Sequence, residues 1–244
     1  MTTRRAAPFA LAVITGLTLA ACGDGGAPPP TEPTTVTVTS TRGAETADAP
    51  EQQELTPKRL KAALPSTDEA PKGFVKDPGG FDAAVHSKRV ADPQECLAVY
   101  LDSQDVRDWR EEHRSEGAGV RYTRKAGGTP PPSISIALWT HDEVFPTRFF
   151  DEAGSALATC SDFTSATEPG ASKGTWTATH IATPALGDRS FAVRIGNRDS
   201  DLAIDYLWVR SGHNLINVRM LTGFRANNEE ILETYARGVL EDLK

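Results

Sequence analysis

Three cysteines carry the chemistry that position constrains most tightly. Cys22 closes the run Leu19-Ala20-Ala21-Cys22, behind Arg4-Arg5 and an apolar stretch from Ala6 to Ala20. A short basic region, an apolar segment of that length and small residues at the cut make up an export signal. The segment is too short to cross a bilayer, which takes about 20 apolar residues. Small Ala20 and Ala21 admit the extended backbone to a peptidase, Leu19 fills an apolar pocket, and the Cys22 thiol takes a diacylglyceryl group. The chain is therefore expected to lose residues 1–21 as a lipoprotein signal peptide. It would then hang from the extracytoplasmic face of the cell membrane by the lipid on Cys22. The alternative is an ordinary Ala-x-Ala cleavage site followed by a chance cysteine. Two acyl chains, at ~0.8 kcal/mol per buried CH2, anchor stably where one is marginal. Arg4-Arg5 runs into Ala6-Ala7-Pro8, which does not continue a twin-arginine signal, so the general secretory route is expected.

Cys96 and Cys160 remain, and in an oxidising compartment an even pair defaults to a disulfide. Such a bridge would close a long loop and contribute ~4 kcal/mol in the chain-entropy account. Metal binding is the weaker alternative. There is no Cys-x-x-Cys, and His86, His113, His141, His180 and His213 show no pair at i, i+3 or i+4. Neither a metal nor a cofactor is expected.

Other polar groupings read as structure. Gly187-Asp188-Arg189-Ser190-Phe191 lacks the second glycine of a nucleophile elbow, and Asp188 most simply makes a turn. No HExxH, P-loop or dinucleotide-binding glycine pattern occurs. Asn197-x-Asp199-x-Asp201 has the oxygen spacing of a calcium loop. Leu202 stands where the sharp turn needs glycine, however, and Trp208 where a bidentate carboxylate belongs, so a hairpin loop is expected. Asp142-Glu143, beside His141, read as acids favoured by the dipole of a following helix. Asp205 interrupts an apolar strand; either it faces a solvent-lined cleft or it pairs with Arg194 or Arg219 on a neighbouring strand. With no catalytic residue to name, the chain is not expected to be an enzyme.

Composition limits what can position these groups. The 244 residues are 39% hydrophobic and 24% charged, ordinary for a soluble globular protein. The net charge of −7 is unevenly spread. The signal is positive, while residues 23–56 set Arg42 against Asp24, Glu32, Glu45, Asp48, Glu51 and Glu54. An acidic surface argues against nucleic acid as a partner. Residues 22–56 hold Pro28-Pro29-Pro30 and a run of threonines with few large apolar residues. They cannot bury enough surface to offset their ordering entropy and read as a disordered tether. Thr/Ser/Pro stalks on exported proteins are open to O-glycosylation, and an unmodified spacer is the alternative.

Residues 57–244 read as one globular α+β domain. Thr56-Pro57 caps a short helix to Ala63, ended by Pro65, and Asp92-Pro93-Gln94-Glu95 opens a helix through Cys96 to Leu101. Val120–Thr123 and Ser133–Trp139 read as strands, and Pro146 opens a helix carrying Phe149, Phe150, Ala153, Leu157 and Cys160. In the C-terminal half, period-2 runs at Thr175–Ala182, Phe191–Ile195, Leu202–Val209 and Ile216–Met220 predict an antiparallel meander. Both sides of Leu202–Val209 are largely apolar, which places that strand centrally with cover on both faces. A last helix from Asn227 or Asn228 aligns Ile231, Leu232, Tyr235, Ala236, Val239, Leu240 and Leu243 on one stripe against the sheet. The overall expectation is an antiparallel sheet with helices packed on it, one disulfide, and a preceding tether.

A family resemblance sits on this layout. Phe149-Phe150-Asp151-Glu152-Ala153-Gly154 leads to Cys160-x-x-Phe163. Leu186-Gly187-Asp188 follows before a strand, and a strand–turn–strand runs from Leu202 to Leu221. Together they resemble the extracellular sensor-domain family named for the mycobacterial receptor kinase PknH, also found in actinobacterial lipoproteins. The resemblance spans residues 55–244. It implies an antiparallel sheet with packed helices, a cleft for an unidentified ligand and no established catalysis. It also implies a two-disulfide framework, from which this chain departs with its single pair, and it carries over no ligand residue.

Two functions follow. One is a cell-surface ligand-binding or sensing module for a small molecule or lipid, with Trp139, Trp176, Tyr206 and Trp208 as candidate pocket aromatics. For each of these, core packing is the plain alternative. The other function is an envelope scaffold that binds a protein partner and no small ligand.

Overall fold

The computed structural model describes residues 47–78, 80–81, 83, 86–125 and 130–244. The export signal, Cys22 and most of the tether lie outside the described residues. In chain order the elements are α1 (Pro57–Ala62), β1 (Phe74–Lys76), β2 (Val90–Asp92), a 3-10 helix (Gln94–Tyr100) and α2 (Gln104–His113). Then come β3 (Arg114–Arg124), β4 (Ser133–His141), α3 (Arg148–Ala156), β5 (Phe163–Ala166) and β6 (Gly174–His180). The chain finishes with β7 (Arg189–Asn197), β8 (Leu202–Ser211), β9 (Asn214–Thr222) and α4 (Glu229–Asp242). The nine strands form one antiparallel sheet in the order β1-β3-β4-β9-β8-β7-β6-β5-β2. This is the α+β fold that the alternation predicts.

Period-2 alternation divides the core into two layers. Ile134, Ile136 and Leu138 of β4, Leu207 and Val209 of β8, and Ile216 and Val218 of β9 face α1 and α4. On the other side Ala137, Trp139, Phe191, Val193, Tyr206 and Trp208 face the 3-10 helix, α2 and α3. The central strand β8 is covered on both faces, as its apolar character requires. Leu232, Ala236, Val239 and Leu243 of the α4 stripe are fully buried. Thr56 accepts a hydrogen bond from the Arg59 amide (3.4 Å) at the start of α1, with Pro57 in the first turn.

Cys96 and Cys160 are bridged, with a Cα–Cα distance of 5.5 Å. The bridge ties the 3-10 helix to the turn beyond α3, which stops at Ala156, short of Cys160. Asp205 takes the pairing alternative. It receives Nε and Nη2 of Arg194, both at 2.7 Å, and Nδ2 of Asn228 at 2.8 Å. Arg194 also donates to the carbonyls of Phe224 and Ala226, fixing the turn into α4.

Several expectations are corrected. The folded body begins before Pro57: Leu55 is buried and its amide donates to Thr140 Oγ1 (2.9 Å). Ahead of it, the Glu51 carbonyl accepts from Ser211 and Asn214, each at 3.0 Å. Gln52 donates to Asp188 at 2.7 Å. Asp188 does more than turn the chain, since its other oxygen meets the buried Arg210 (3.1 Å) and the Gly212 amide (2.6 Å). Asp142 precedes α3 by several residues and pairs with His113 Nδ1 at 3.0 Å, so it is no helix-capping acid. The helix expected after Asp92 is a 3-10 helix, ended by Leu101 at φ 48°. The Asn197–Asp201 loop, by contrast, is the hairpin turn expected, with Asn197 Oδ1 accepting from the Ser200 amide (2.9 Å).

At the end of β4, His141 is fully buried against Trp109 and Phe145, with ring centroids at 4.9 and 5.3 Å. Its Nδ1 donates to the His213 carbonyl at 2.9 Å, while Nε2 has no partner among the described residues. Burial pushes its pKa down to about 3, against that hydrogen bond and with help from Arg110 and Arg114. The unfolded chain titrates this group near 6.5 and so binds more protons in the window between these values. Stability must therefore fall as pH drops from about 6.5 towards 3. The urea midpoint is expected to decline between pH 7 and pH 5, and to decline less in His141→Gln. An equal decline in both proteins would refute this origin.

Candidate ligand-binding cleft

On the face away from α4, side chains from the sheet and α2, with Gly80, Phe81, His86, Ser87 and Arg89, line a cleft of about 770 Å³. That is within the span usual for small-molecule sites. Its floor follows from strand register. Arg121, Ser135, Arg219 and Tyr206 lie side by side across β3, β4, β9 and β8. The next row places Gly119, Ala137, Asn217 and Trp208 together. Two glycines on β3 make room at the edge. A Cβ at Gly119 would come within 2.5 Å of the Phe81 ring, and one at Gly117 within 2.7 Å of the Trp139 indole.

The wall is α2. Gln104, Arg107, Asp108 and Glu111 repeat at helical spacing and line the cleft, with Arg110 beside them. Asp102, nearly buried at 5% exposure, organises the inner corner. It accepts Nε and Nη2 of Arg107 (3.1 and 2.7 Å) and Ser87 Oγ (2.6 Å). Arg107 also donates to the Arg89 carbonyl at 2.7 Å, so the loop and the helix are fastened through one carboxylate.

The other arginines are differently placed. Arg89 lies 4.3 Å over the Tyr100 ring and donates to Ser165 Oγ at 3.4 Å. Arg121 donates to Ser135 Oγ (3.2 Å), and Arg219 lies 4.9 Å from the Phe81 centroid. Burial pulls the Arg219 pKa below its usual value, with neighbouring Arg121 and Arg89 adding to the fall and Tyr206 opposing it. Arg110 sits 5.4 Å from Trp208 and 5.5 Å from Trp139. Its Nε and Nη2 are shut from solvent with no hydrogen-bond partner among the described residues. Burial brings its pKa down to about 10, Asp102 resisting and Arg114 contributing. Six arginines thus share a cleft with Asp102, Asp108 and Glu111, in a chain whose net charge is −7.

Three of the four aromatics chosen from sequence, Trp139, Tyr206 and Trp208, line this cleft. Trp176 does not line it; on β6 it is half-buried, packs against the core, and lies over Gly174. The arginines are not among the pocket residues expected from sequence, Arg219 being named there only as a candidate partner of Asp205, although a signal existed. Arg121 alternates with Val120 and Tyr122, and Asn217 and Arg219 alternate with Ile216, Val218 and Met220. A polar side on a strand with neighbours on both flanks marks a hollow. Among the described residues no three His, Cys, Asp or Glu side chains gather as a metal would need.

No protein-family model matches the chain, and no curated protein sequence does. Among solved structures, the extracellular domain of PknH from Mycobacterium tuberculosis aligns with a TM-score of 0.58 at 12% identity. The alignment covers 79% of this chain and 98% of that domain. The chain has the fold of the PknH extracellular domain. A putative uncharacterized protein from Mycobacterium smegmatis, an Rv0999 ortholog, aligns at 12% identity over 71% of this chain and 92% of its own, with a TM-score of 0.40. The PknH-like fold accounts for the sheet and its helices, and the chemistry of the cleft is read from this chain's own arginines and aromatics.

Proposed function

We propose that the protein is a lipid-anchored, extracytoplasmic, sensor-like module that binds a small ligand in the cleft between its sheet and α2. The observation that carries this reading is the cleft itself, open and lined by Trp139, Tyr206, Trp208 and arginines from four separate segments. Its PknH-like fold supports an extracytoplasmic placement, and the Leu19-Ala20-Ala21-Cys22 run supports the anchor. Binding is preferred to catalysis on geometry. Ser87 donates to Asp102, whose two oxygens Arg107 also holds, and His86 Nε2 faces Arg114 at 3.0 Å, so these groups are committed to fastening the loop to its neighbours.

Native mass spectrometry of the protein purified from its own membrane fraction tests the ligand. A co-purifying small molecule supports the reading, and repeatedly empty spectra count against it. Cys22→Ala tests the anchor: the variant is expected to leave the membrane fraction or accumulate uncut. Normal processing with unchanged membrane retention would defeat the lipoprotein assignment.

A further inference from the structure

We propose that the cleft is built for a small polyanion, a ligand with two or more phosphate or carboxylate groups, held chiefly by Arg219 and Arg110 with Arg89 beside them. The inference rests on the cleft being the ligand site, and it adds what that site recognises.

The first ground is unmet hydrogen bonding. A guanidinium carries five donors and no acceptor. Arg110 keeps two of its donor nitrogens, Nε and Nη2, out of water and without a hydrogen-bond partner among the described residues. Buried donors are nearly always hydrogen-bonded, and leaving them unmet is costly even where, as here, aromatic rings support the charge. The second ground is unmet charge. Arg107 uses up Asp102 through two hydrogen bonds, and Gln104 engages Asp108 at 2.6 Å. Arg219 has no carboxylate within ion-pair distance among the described residues; it is set between the Phe81 ring and Tyr206. Like charges on Arg89, Arg121 and Arg219 face one hollow, so an oxyanion entering there relieves repulsion as well as supplying acceptors.

The aromatics take on a different role from the one their identity first indicates. The Trp139 and Trp208 rings both lie beneath the Arg110 guanidinium, so they seat a cation and are not left as a bare stacking wall. Recognition then falls to forked guanidinium donors, which suit phosphate and carboxylate geometry. The lining holds six arginines against three acidic residues, and although Arg121 also meets Asp77 at 3.9 Å, the cleft keeps a positive balance that suits a small anion of more than one charge. A long polyanion is disfavoured, because charge extending beyond the cleft meets a protein of net charge −7.

The test is calorimetric titration of the full-length protein in detergent at constant ionic strength. The probes are pyrophosphate, citrate, acetate as monoanion and glucose as neutral control. Saturable binding of pyrophosphate or citrate is expected, at least ~10-fold tighter than acetate. Arg219→Gln and Arg89→Gln are each expected to weaken it by ~10-fold or more, the loss usual for a charge-assisted hydrogen bond. Arg110→Met is expected to abolish tight binding, and Arg237→Gln, on the far face, to change nothing. Pyrophosphate binding without citrate binding assigns phosphate, and the reverse assigns carboxylate. Binding of neither, or binding that survives both Arg219→Gln and Arg89→Gln, overturns the proposal. A neutral molecule seen in native spectra while both polyanions fail would remove the polyanion and leave the ligand-binding reading intact.

Discussion

Asp205→Ala is expected to destabilise the protein by about 3 kcal/mol, the lower end of the range for breaking a buried ion pair. Asp205 is 1% exposed in the middle of β8, and the partner it abandons, Arg194, is 25% exposed at its side chain. That partial solvation is what keeps the expected cost from the upper end. Three donors lose their acceptor together: Nε and Nη2 of Arg194 and Nδ2 of Asn228. Asn228 is the residue from which α4 departs, and Arg194 also holds two carbonyls of the preceding turn. The loss should therefore loosen the seat of α4 as well as the strand. At 2–4 °C per kcal/mol for a chain of this size, the melting temperature should fall by roughly 6–12 °C. Arg194→Ala strands a carboxylate instead and should cost at least as much. The double variant should cost less than the two single losses combined. A loss below about 1 kcal/mol in Asp205→Ala would show that the pair is not what holds the two elements.

Opening the Cys96–Cys160 bridge is the second large effect. The cysteines are 64 residues apart, and the chain-entropy account puts the contribution of a loop that long at about 4 kcal/mol. The enclosed stretch contains α2, β3, β4 and α3, that is, the wall of the cleft and part of its floor. Denaturant curves with and without reductant should separate by about that free energy, and the melting temperature should drop by roughly 8–16 °C. The paired Cys96→Ala, Cys160→Ala protein should match the reduced one. Overlapping curves would mean that the cross-link adds nothing to the native state.

Much of the C-terminal half was legible because each strand there buries one or both faces against a helix layer. Phe191, Val193 and Ile195 alternate, as do Leu207 and Val209 against Tyr206 and Trp208, and the α4 stripe is continuous. The strands β1, β2 and β5 are only three or four residues long, too few for alternation to register. The helix α2 was missed for a more instructive reason. Of its ten residues only Val106 and Trp109 are large and apolar; these two meet the core, while Gln104, Arg107, Asp108, Arg110 and Glu111 line a charged cleft. The property that gives α2 a place in the site removes the periodic stripe by which a helix is read. The chain-wide negative charge hid the arginine cluster similarly, since an average over 244 residues carries no information about which six share a hollow. For Asp205 the sequence left open a solvent-lined cleft or a pairing with Arg194 or Arg219, and the register decides it, Arg194 being directly opposite across the β7–β8 ladder.

The two outermost strands of the sheet, β1 and β2, bear on how copies of the protein behave beside one another. Any open sheet offers its last strands as templates for a neighbour's backbone. Here each of those templates is only three residues long. One ends in exposed Lys76, and the other in exposed Asp92 followed at once by Pro93, which has no amide proton to donate. A foreign strand docking on either flank would gain only a few backbone bonds before meeting a charge or an imide. The nine-stranded sheet therefore ends in flanks that resist strand-to-strand self-assembly, even where many copies crowd together.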